Sequence, residues 1–434
     1  MRLVLAVLLL LALPAVPAGA EESLVWNDCV KEAKRQHPDL LSAFEKVKQN
    51  KAAKEVTRSA TLPQLTGNLS ETTNKNADLT TTGGGTISTA SAKRENPAKT
   101  TYEYDITGQQ LLFDGFKTSY NLSAAERTIS SSRYNYDVTS SNIRLNLRTA
   151  FANLLSAQEL LRVTEEIEGR RKQNLELVKL RYEGGREHRG SLLTSEADHA
   201  QAVYEVNQAK RSIYLSQRRL TRQLGRSVFS PIIAQGGLEV QNPERIRPDF
   251  EKLAADAPLL RQLIAQKEAA RFGVKSAYAG LYPTIYANGS LGNTNVDAFP
   301  DKNQWSIGTS LAFPFFDGGN TLASINKAKA VLGQADEDER SGRDGVIFTL
   351  SNTWTSMQDT FENVEVQREY LKATEERAKI ARAQYSIGLM SYDNWIIIEN
   401  SLVSTKKSFV TAQTSALVAE ANWIQAKGGT LDYD

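Results

Sequence analysis

The stretch "NQWSIGTSLAFPFFDG", residues 303–318, alternates large apolar side chains with small or polar ones. Trp305, Ile307, Thr309, Leu311, Phe313 and Phe315 occupy one phase; Gln304, Ser306, Gly308, Ser310 and Ala312 occupy the other. Period two marks a β-strand whose two faces differ in chemistry. The alternation runs into Asp317-Gly318, and no proline occurs from Phe315 to the end. An interior proline costs a helix about 3 kcal/mol, so the proline-free tail suits long helices. The stretch predicts a strand that turns sharply into a helix. Asp317 suits the position just before that helix, where a carboxylate caps free amides. Gly318 permits the change of direction.

The same transition occurs once more. "LLFDG" at Leu111–Gly115 continues into a second proline-free run, from Ala98 to Ser230. Tyr102, Tyr104 and Ile106 alternate before it with Glu103, Asp105 and Thr107, so Asp114 and Gly115 take the roles of Asp317 and Gly318. Other landmarks repeat too. Pro38 and Pro63 match Pro258 and Pro283 at an offset of 220 residues. Asp114, Tyr182 and Gly225 match Asp317, Tyr385 and Gly428 at an offset of 203. The register changes once, between Ser70 and Tyr102, within the Thr-, Ser- and Gly-rich "NADLTTTGGGTISTASAKRENPAK". That composition reads as a surface loop, and one indel confined to a loop is what two copies of one fold would show.

"PQLTGNLSE" and "PTIYANGSLG" supply a further strand in each copy, so strands are expected at about 63–75, 100–113, 283–293 and 303–315. Leu147, Leu154, Leu161, Glu168, Leu175 and Tyr182 stand at seven-residue spacing, as do Leu350, Met357, Val364, Leu371, Ala378 and Tyr385. Seven is the coiled-coil period, although an ordinary amphipathic bundle also fits. Each copy reads helix, strand, strand, long helix, helix. The first covers residues 21–235 and the second 236–434, after a signal peptide at 1–20.

That leader, "MRLVLAVLLLLALPAVPAGA", has one arginine, a leucine-rich run and a small-residue end, the pattern of an exported chain. Basic and acidic residues nearly balance at 52 and 50, which argues against a general polyanion binder. Cys29 is the only cysteine, so no intrachain disulfide can form. It also lies too far past the cleavage site to be a lipidated first residue. Beyond the leader no run is long and apolar enough for a membrane helix. Four strands of about ten residues could cross a membrane when tilted, but the smallest outer-membrane barrels have about eight. A sheet open in lipid leaves backbone groups unpaired. Strands in a membrane would therefore require a barrel shared among chains.

"WNDCVKEAKRQHPDL", the "P-x-[LI]" strand starts, the "FDG" transitions, the "Y-x-x-G" tips and the half-chain duplication together resemble the TolC-like outer-membrane efflux proteins. The resemblance runs from Leu24 to about Gly429. It implies a homotrimer, with twelve strands in one outer-membrane barrel continued into the periplasm as a cylinder of helices. It also implies a passive exit duct of a tripartite efflux pump or type I secretion system in a Gram-negative envelope, joined to an inner-membrane transporter through a periplasmic adaptor. No catalytic activity and no cofactor are implied. A periplasmic coiled-coil adaptor without a pore is the alternative, and the alternating stretch weighs against it, because an adaptor needs no lipid-facing strand.

The tips are expected at "YEGGREHRGS" and "YSIGLMSYDN", with adaptor-contact candidates Gly184, Gly185, Arg186, Arg189, Gly388, Leu389 and Ser391. In the family's archetype, acidic residues just past the second tip narrow the closed pore. Here the corresponding Asn394 and Ile397 are not acidic. The nearest acids, Asp393 and Glu399, with Glu196 matching Glu399 in the first copy, are the gate candidates. Glu399 reads equally as a solvated helix residue. His37, His188 and His199 are the only histidines and have no zinc-binding spacing; no catalytic or metal motif is present.

Overall fold

A computed structural model describes residues 22–75, 98–239 and 246–433. The signal peptide and most of the Thr/Ser/Gly-rich loop lie outside the described residues. In chain order the elements are β1 (Glu22–Val25), α1 (Trp26–Gln36), α2 (Pro38–Ser59), β2 (Gln64–Asn74), β3 (Lys99–Phe113), α3 (Lys117–Glu183) and α4 (Arg189–Leu224). Then come β4 (Ile232–Gln235), α5 (Phe250–Asp256), α6 (Pro258–Ala279), β5 (Thr284–Asn295), β6 (Lys302–Ala312), α7 (Asn320–Ser386) and α8 (Tyr392–Ala426). α3 and α7 have 67 residues each.

The chain forms two compact units, and these are not the two sequence copies. One unit comprises Phe44–Asn135 and Leu259–Gly342; the rest of the chain makes the other. Each unit draws on both copies, because the two long helices pass from one unit's residues to the other's.

In the first unit an antiparallel sheet has the order β2-β3-β5-β6. The pairing of β3 with β5 joins the two copies, with Gly108 opposite Gly289 and Ile106 opposite Leu291. The register sorts side chains by chemistry. One face carries Leu65, Leu69, Tyr104, Ile106, Leu291, Trp305, Ile307 and Leu311. Trp305 and Ile307 are 74% and 81% exposed, far too much apolar surface to leave in water. The opposite face is a polar network. Asn68 donates to Asp105 at 3.0 Å, Gln109 to Asn288 at 3.1 Å, and Asn288 to Ser310 at 2.9 Å. Ser290 and Ser306 are 2.9 Å apart.

β6 stops at Ala312, short of the expected residue 315. Pro314 has no N–H to offer a ladder. After each Asp-Gly the turn uses two left-handed residues, Gly115 (φ 67°) with Phe116 (φ 65°), and Gly318 (φ 65°) with Gly319 (φ 86°). Asp114 and Asp317 therefore stand three residues ahead of the helices rather than immediately before them. They still cap across the turn. Asp114 accepts from the Thr118 amide at 2.8 Å and Asp317 from the Thr321 amide at 2.8 Å.

In the second unit β1 and β4 pair in parallel. Arg226, just beyond α4, donates to Glu32 of α1 at 2.5 Å and to Glu22 of β1 at 2.6 Å. The core around them holds Cys29, Leu147, Leu154, Leu220, Leu224 and Ile232. Burial pushes the Cys29 thiol up to about 12, so it stays an unreactive thiol. The seven-residue lines behave differently in the two copies. In α7, Leu350, Met357, Val364, Ala378 and Tyr385 are all buried. In α3, Leu147 and Leu154 are buried but the line then leaves the core, and Val163, Ile167, Asn174 and Val178 replace it. An undistorted helix drifts about 20° per heptad, which rotates a strict seven-residue line off its seam.

Candidate functional site

The two turns that join α3 to α4 and α7 to α8 are built alike. Gly185 has φ 68° and Gly388 φ 83°. Arg186 donates its amide to the Arg181 carbonyl at 2.8 Å and Gly185 to Tyr182 at 3.0 Å. Leu389 donates to Gln384 at 2.8 Å and Gly388 to Tyr385 at 3.1 Å. Both are Schellman closures, in which a glycine accepts the left-handed position and two orphan carbonyls are satisfied. His188 then caps α4, its Nδ1 accepting from the Ser191 amide at 3.2 Å. Gly184, Gly185, Arg186, Arg189, Gly388, Leu389 and Ser391 are all exposed in the single chain.

Beneath these turns the two hairpins are tied together. Tyr385, at the end of α7, donates its hydroxyl to Glu187 of the first turn at 2.9 Å. Arg181, at the end of α3, donates to the Tyr385 carbonyl at 2.7 Å, and its guanidinium lies 4.6 Å from the Tyr385 ring centroid. The Tyr385 ring stacks on Trp395 of α8, with centroids 4.1 Å apart and 12° between planes. Tyr392 meets both rings edge-on. Val178, Ala378, Ala381, Ile398 and Leu402 complete a dry cluster. Burial, then the hydrogen bond to Glu187, raises the Tyr385 hydroxyl above its ordinary value, so it remains a donor. Burial also pushes Tyr392 up to about 12.

Burial raises Glu187, but hydrogen bonds from Tyr385, Ser191 and the His188 amide outweigh it and hold the carboxyl below its ordinary 4.5. The tie is thus complete above that value and lost as pH falls through the lower folded-state one. Acidification below 4.5 is expected to raise hydrogen exchange of the amides at 181–191 and 385–392. Glu187→Gln is expected to remove that pH step. A step that survives in the Gln variant contradicts the assignment.

Along the helices, further pairs cross between elements. Glu399 of α8 accepts both arms of Arg170 of α3, at 2.8 and 2.9 Å, and the Asn174 amide at 3.2 Å. Lys407 of α8 meets Glu205 of α4 at 2.7 Å. His199 Nε2 lies 2.9 Å from Glu168. Glu399 is 1% exposed, which corrects its reading as a solvated helix residue. It is paired with Arg170 inside the chain rather than solvated. Asp393, in the first turn of α8, and Glu196 of α4 are exposed. The structure does not bring them to the Arg170–Glu399 pair.

Arg170, Arg181, Glu187 and Trp395 were not singled out from sequence. A signal existed in the duplication itself. At the offset of 203, Arg170 becomes Ala373, Arg181 becomes Gln384 and Glu187 becomes Met390. The tie uses positions where the copies differ. Tyr182 is 38% exposed while its counterpart Tyr385 is fully buried.

Comparison with known proteins agrees with this architecture. The sequence model described as "Outer membrane efflux protein" matches residues 29–226 and 250–429. The chain belongs to the outer membrane efflux protein family. The family consists of outer-membrane channels, TolC among them, and its two matched segments follow the two sequence copies. Relatives are distant over nearly full length. The outer membrane efflux protein BepC of Brucella suis biovar 1 is 23% identical over 380 residues, covering 86% of this chain and 78% of that one. TolC of Escherichia coli K12 is 21% identical over 426 residues, covering 92% and 80%. A solved structure of CusC superposes with a TM-score of 0.82 at 18% identity, covering 93% of this chain and 91% of the other. VceC of Vibrio cholerae gives 0.78 at 19%, covering 94% and 96%. As a family member the chain is an outer-membrane efflux protein of TolC-like fold.

Proposed function

We propose that this efflux protein is the passive exit duct of a tripartite efflux pump or type I secretion system, assembled from three copies. Its β-sheets would close into one twelve-stranded barrel, and its paired helical turns would meet a periplasmic adaptor that leads to an inner-membrane transporter. The observation that carries the reading is the two-faced sheet. In the single chain β2 and β6 pair on one side only, among the described residues. An apolar face with two open edges is unstable in lipid, where each unpaired backbone group costs several kcal/mol. Further copies remove the edges, and three give twelve strands. The apolar face would then meet lipid and the polar network water. An adaptor without a pore has no use for that face.

The exposed tip residues Gly184, Gly185, Arg186, Arg189, Gly388, Leu389 and Ser391 are the adaptor contacts in this reading. Asp393, Glu399 and Glu196 are the acidic candidates for a constriction. The polar face of the sheet carries Glu103 and Asp105, while Lys99 and Lys302 sit at the strand ends. The lysines share that face only at its ends, so the two acids inside them are the charges that would favour cations. In planar bilayers the purified protein is expected to give stepwise, cation-preferring currents. Glu103→Gln with Asp105→Asn is expected to lower the preference without abolishing conductance. Absence of any conductance from correctly folded protein counts against a duct.

A further inference from the structure

Two arginines of α3 are set into the second unit with no described residue to pair with them. Arg144 is 8% exposed, and Arg148, one helical turn on, is half-buried. Residues four apart share a helix face. Both guanidiniums meet one indole, that of Trp26 in α1, at 5.8 and 4.9 Å from its ring centroid. Arg144 also lies 5.2 Å from the Tyr433 ring. Neither guanidinium donates a hydrogen bond to any described residue. Among the described residues the only other buried arginine is Arg171, and it meets Asp198 at 3.5 Å and also Asn400.

The pair repels itself. Burial, then the charge of Arg148, makes the Arg144 guanidinium less basic than usual, and burial does the same to Arg148. Glu420 of α8 attracts both without hydrogen-bonding to either. Two cations and one acid leave a single positive charge in excess. The duplication has not repeated the arrangement: at the offset of 203 the arginines become Ile347 and Ser351. A buried charge is tolerated when a counter-charge with good geometry meets it, and the described residues supply none.

We propose that Arg144 and Arg148 form a clamp for one carboxylate group, walled by Trp26 and Tyr433 and filled from outside the chain. A guanidinium holds its N–H donors in a planar fork that fits carboxylate oxygens, and two forks on one helix face can share one such group. The indole holds the guanidiniums through their charge and leaves their N–H groups free to donate. The single excess charge matches a carboxylate better than a phosphate group, which carries about −1.5 to −2 at pH 7. The carboxylate is either a free small molecule or an acidic side chain of a neighbouring copy. None of the tip or constriction residues belongs to the clamp.

Modification by phenylglyoxal, read residue by residue by mass spectrometry on the full-length protein in detergent, tests the clamp at Arg148 against exposed Arg186. With a free carboxylate as the occupant, Arg148 is expected to react in sodium chloride, and sodium acetate at equal ionic strength to slow it several-fold. Arg144→Gln is expected to abolish that protection. It is also expected to melt no lower than the parent in chloride, because it relieves the repulsion; a purely structural cation would be missed. Slow reaction in chloride alone that persists in Asp434→Asn and is relieved by Arg144→Gln assigns the carboxylate to a neighbouring copy. Slow reaction relieved by Asp434→Asn makes the carboxylate the chain's own and overturns the outside source. Slow reaction unchanged by Arg144→Gln is burial alone and overturns the clamp. So does equal reaction in acetate and chloride by a freely reacting Arg148, or stronger slowing by sodium phosphate than by acetate.

Discussion

Replacing Trp395 with alanine is expected to loosen both helical turns at once, at a cost of about 3–5 kcal/mol to the local structure. Trp395 is fully buried and stacks on Tyr385, the residue that joins the two hairpins. Its removal opens a cavity under the ring and frees Tyr385 to leave Glu187 and Arg181. Hydrogen exchange at residues 177–192 and 381–402 is expected to rise about a hundredfold or more, since each 1.4 kcal/mol is a factor of ten. Trp395→Phe is the control. The indole nitrogen has no hydrogen-bond partner among the described residues, so a ring that keeps the stack should lose far less. Equal exchange in the Ala variant and the parent would remove the stack from this account.

Arg170→Ala is expected to have an effect of similar size for a different reason. It strands the Glu399 carboxylate, 1% exposed and accepting both guanidinium arms. Breaking a buried pair from one side costs about 3–5 kcal/mol, whereas replacing both partners with apolar side chains is often nearly neutral. Arg170→Met with Glu399→Met is accordingly expected to unfold close to the parent, and Arg170→Ala well below it, in denaturant melts of the detergent-solubilised protein. If the double variant is as unstable as the single one, the loss is one of packing, and the ion pair is not the brace between α3 and α8.

The parts of the structure legible in sequence are those that repeat at short range. Alternation from Trp305 to Leu311 announced a two-faced strand because side-chain direction in a strand has period two. The missing N–H of Pro314 trimmed its end. Asp-Gly announced the turn, but not that Phe116 would share the left-handed conformation with Gly115. The seven-residue line held in α7 and drifted off the seam in α3, where the core passes to Val163, Ile167 and Val178. The pairs that bind the hairpins were not legible. Arg170 and Glu399 lie 229 positions apart, and no local pattern links them. Glu399 looked like any helix-surface acid until its depth was known. Tyr385 was visible only as a landmark of the repeat; its role comes from Glu187, Arg181 and Trp395, whose counterparts in the other copy are Met390, Gln384 and Leu192.

The most direct test of the central claim is imaging of the protein extracted from outer membranes in detergent. The account predicts threefold-symmetric particles with a stain-filled central channel. Solid particles without threefold symmetry, or a chain recovered wholly from the soluble periplasm, would contradict it.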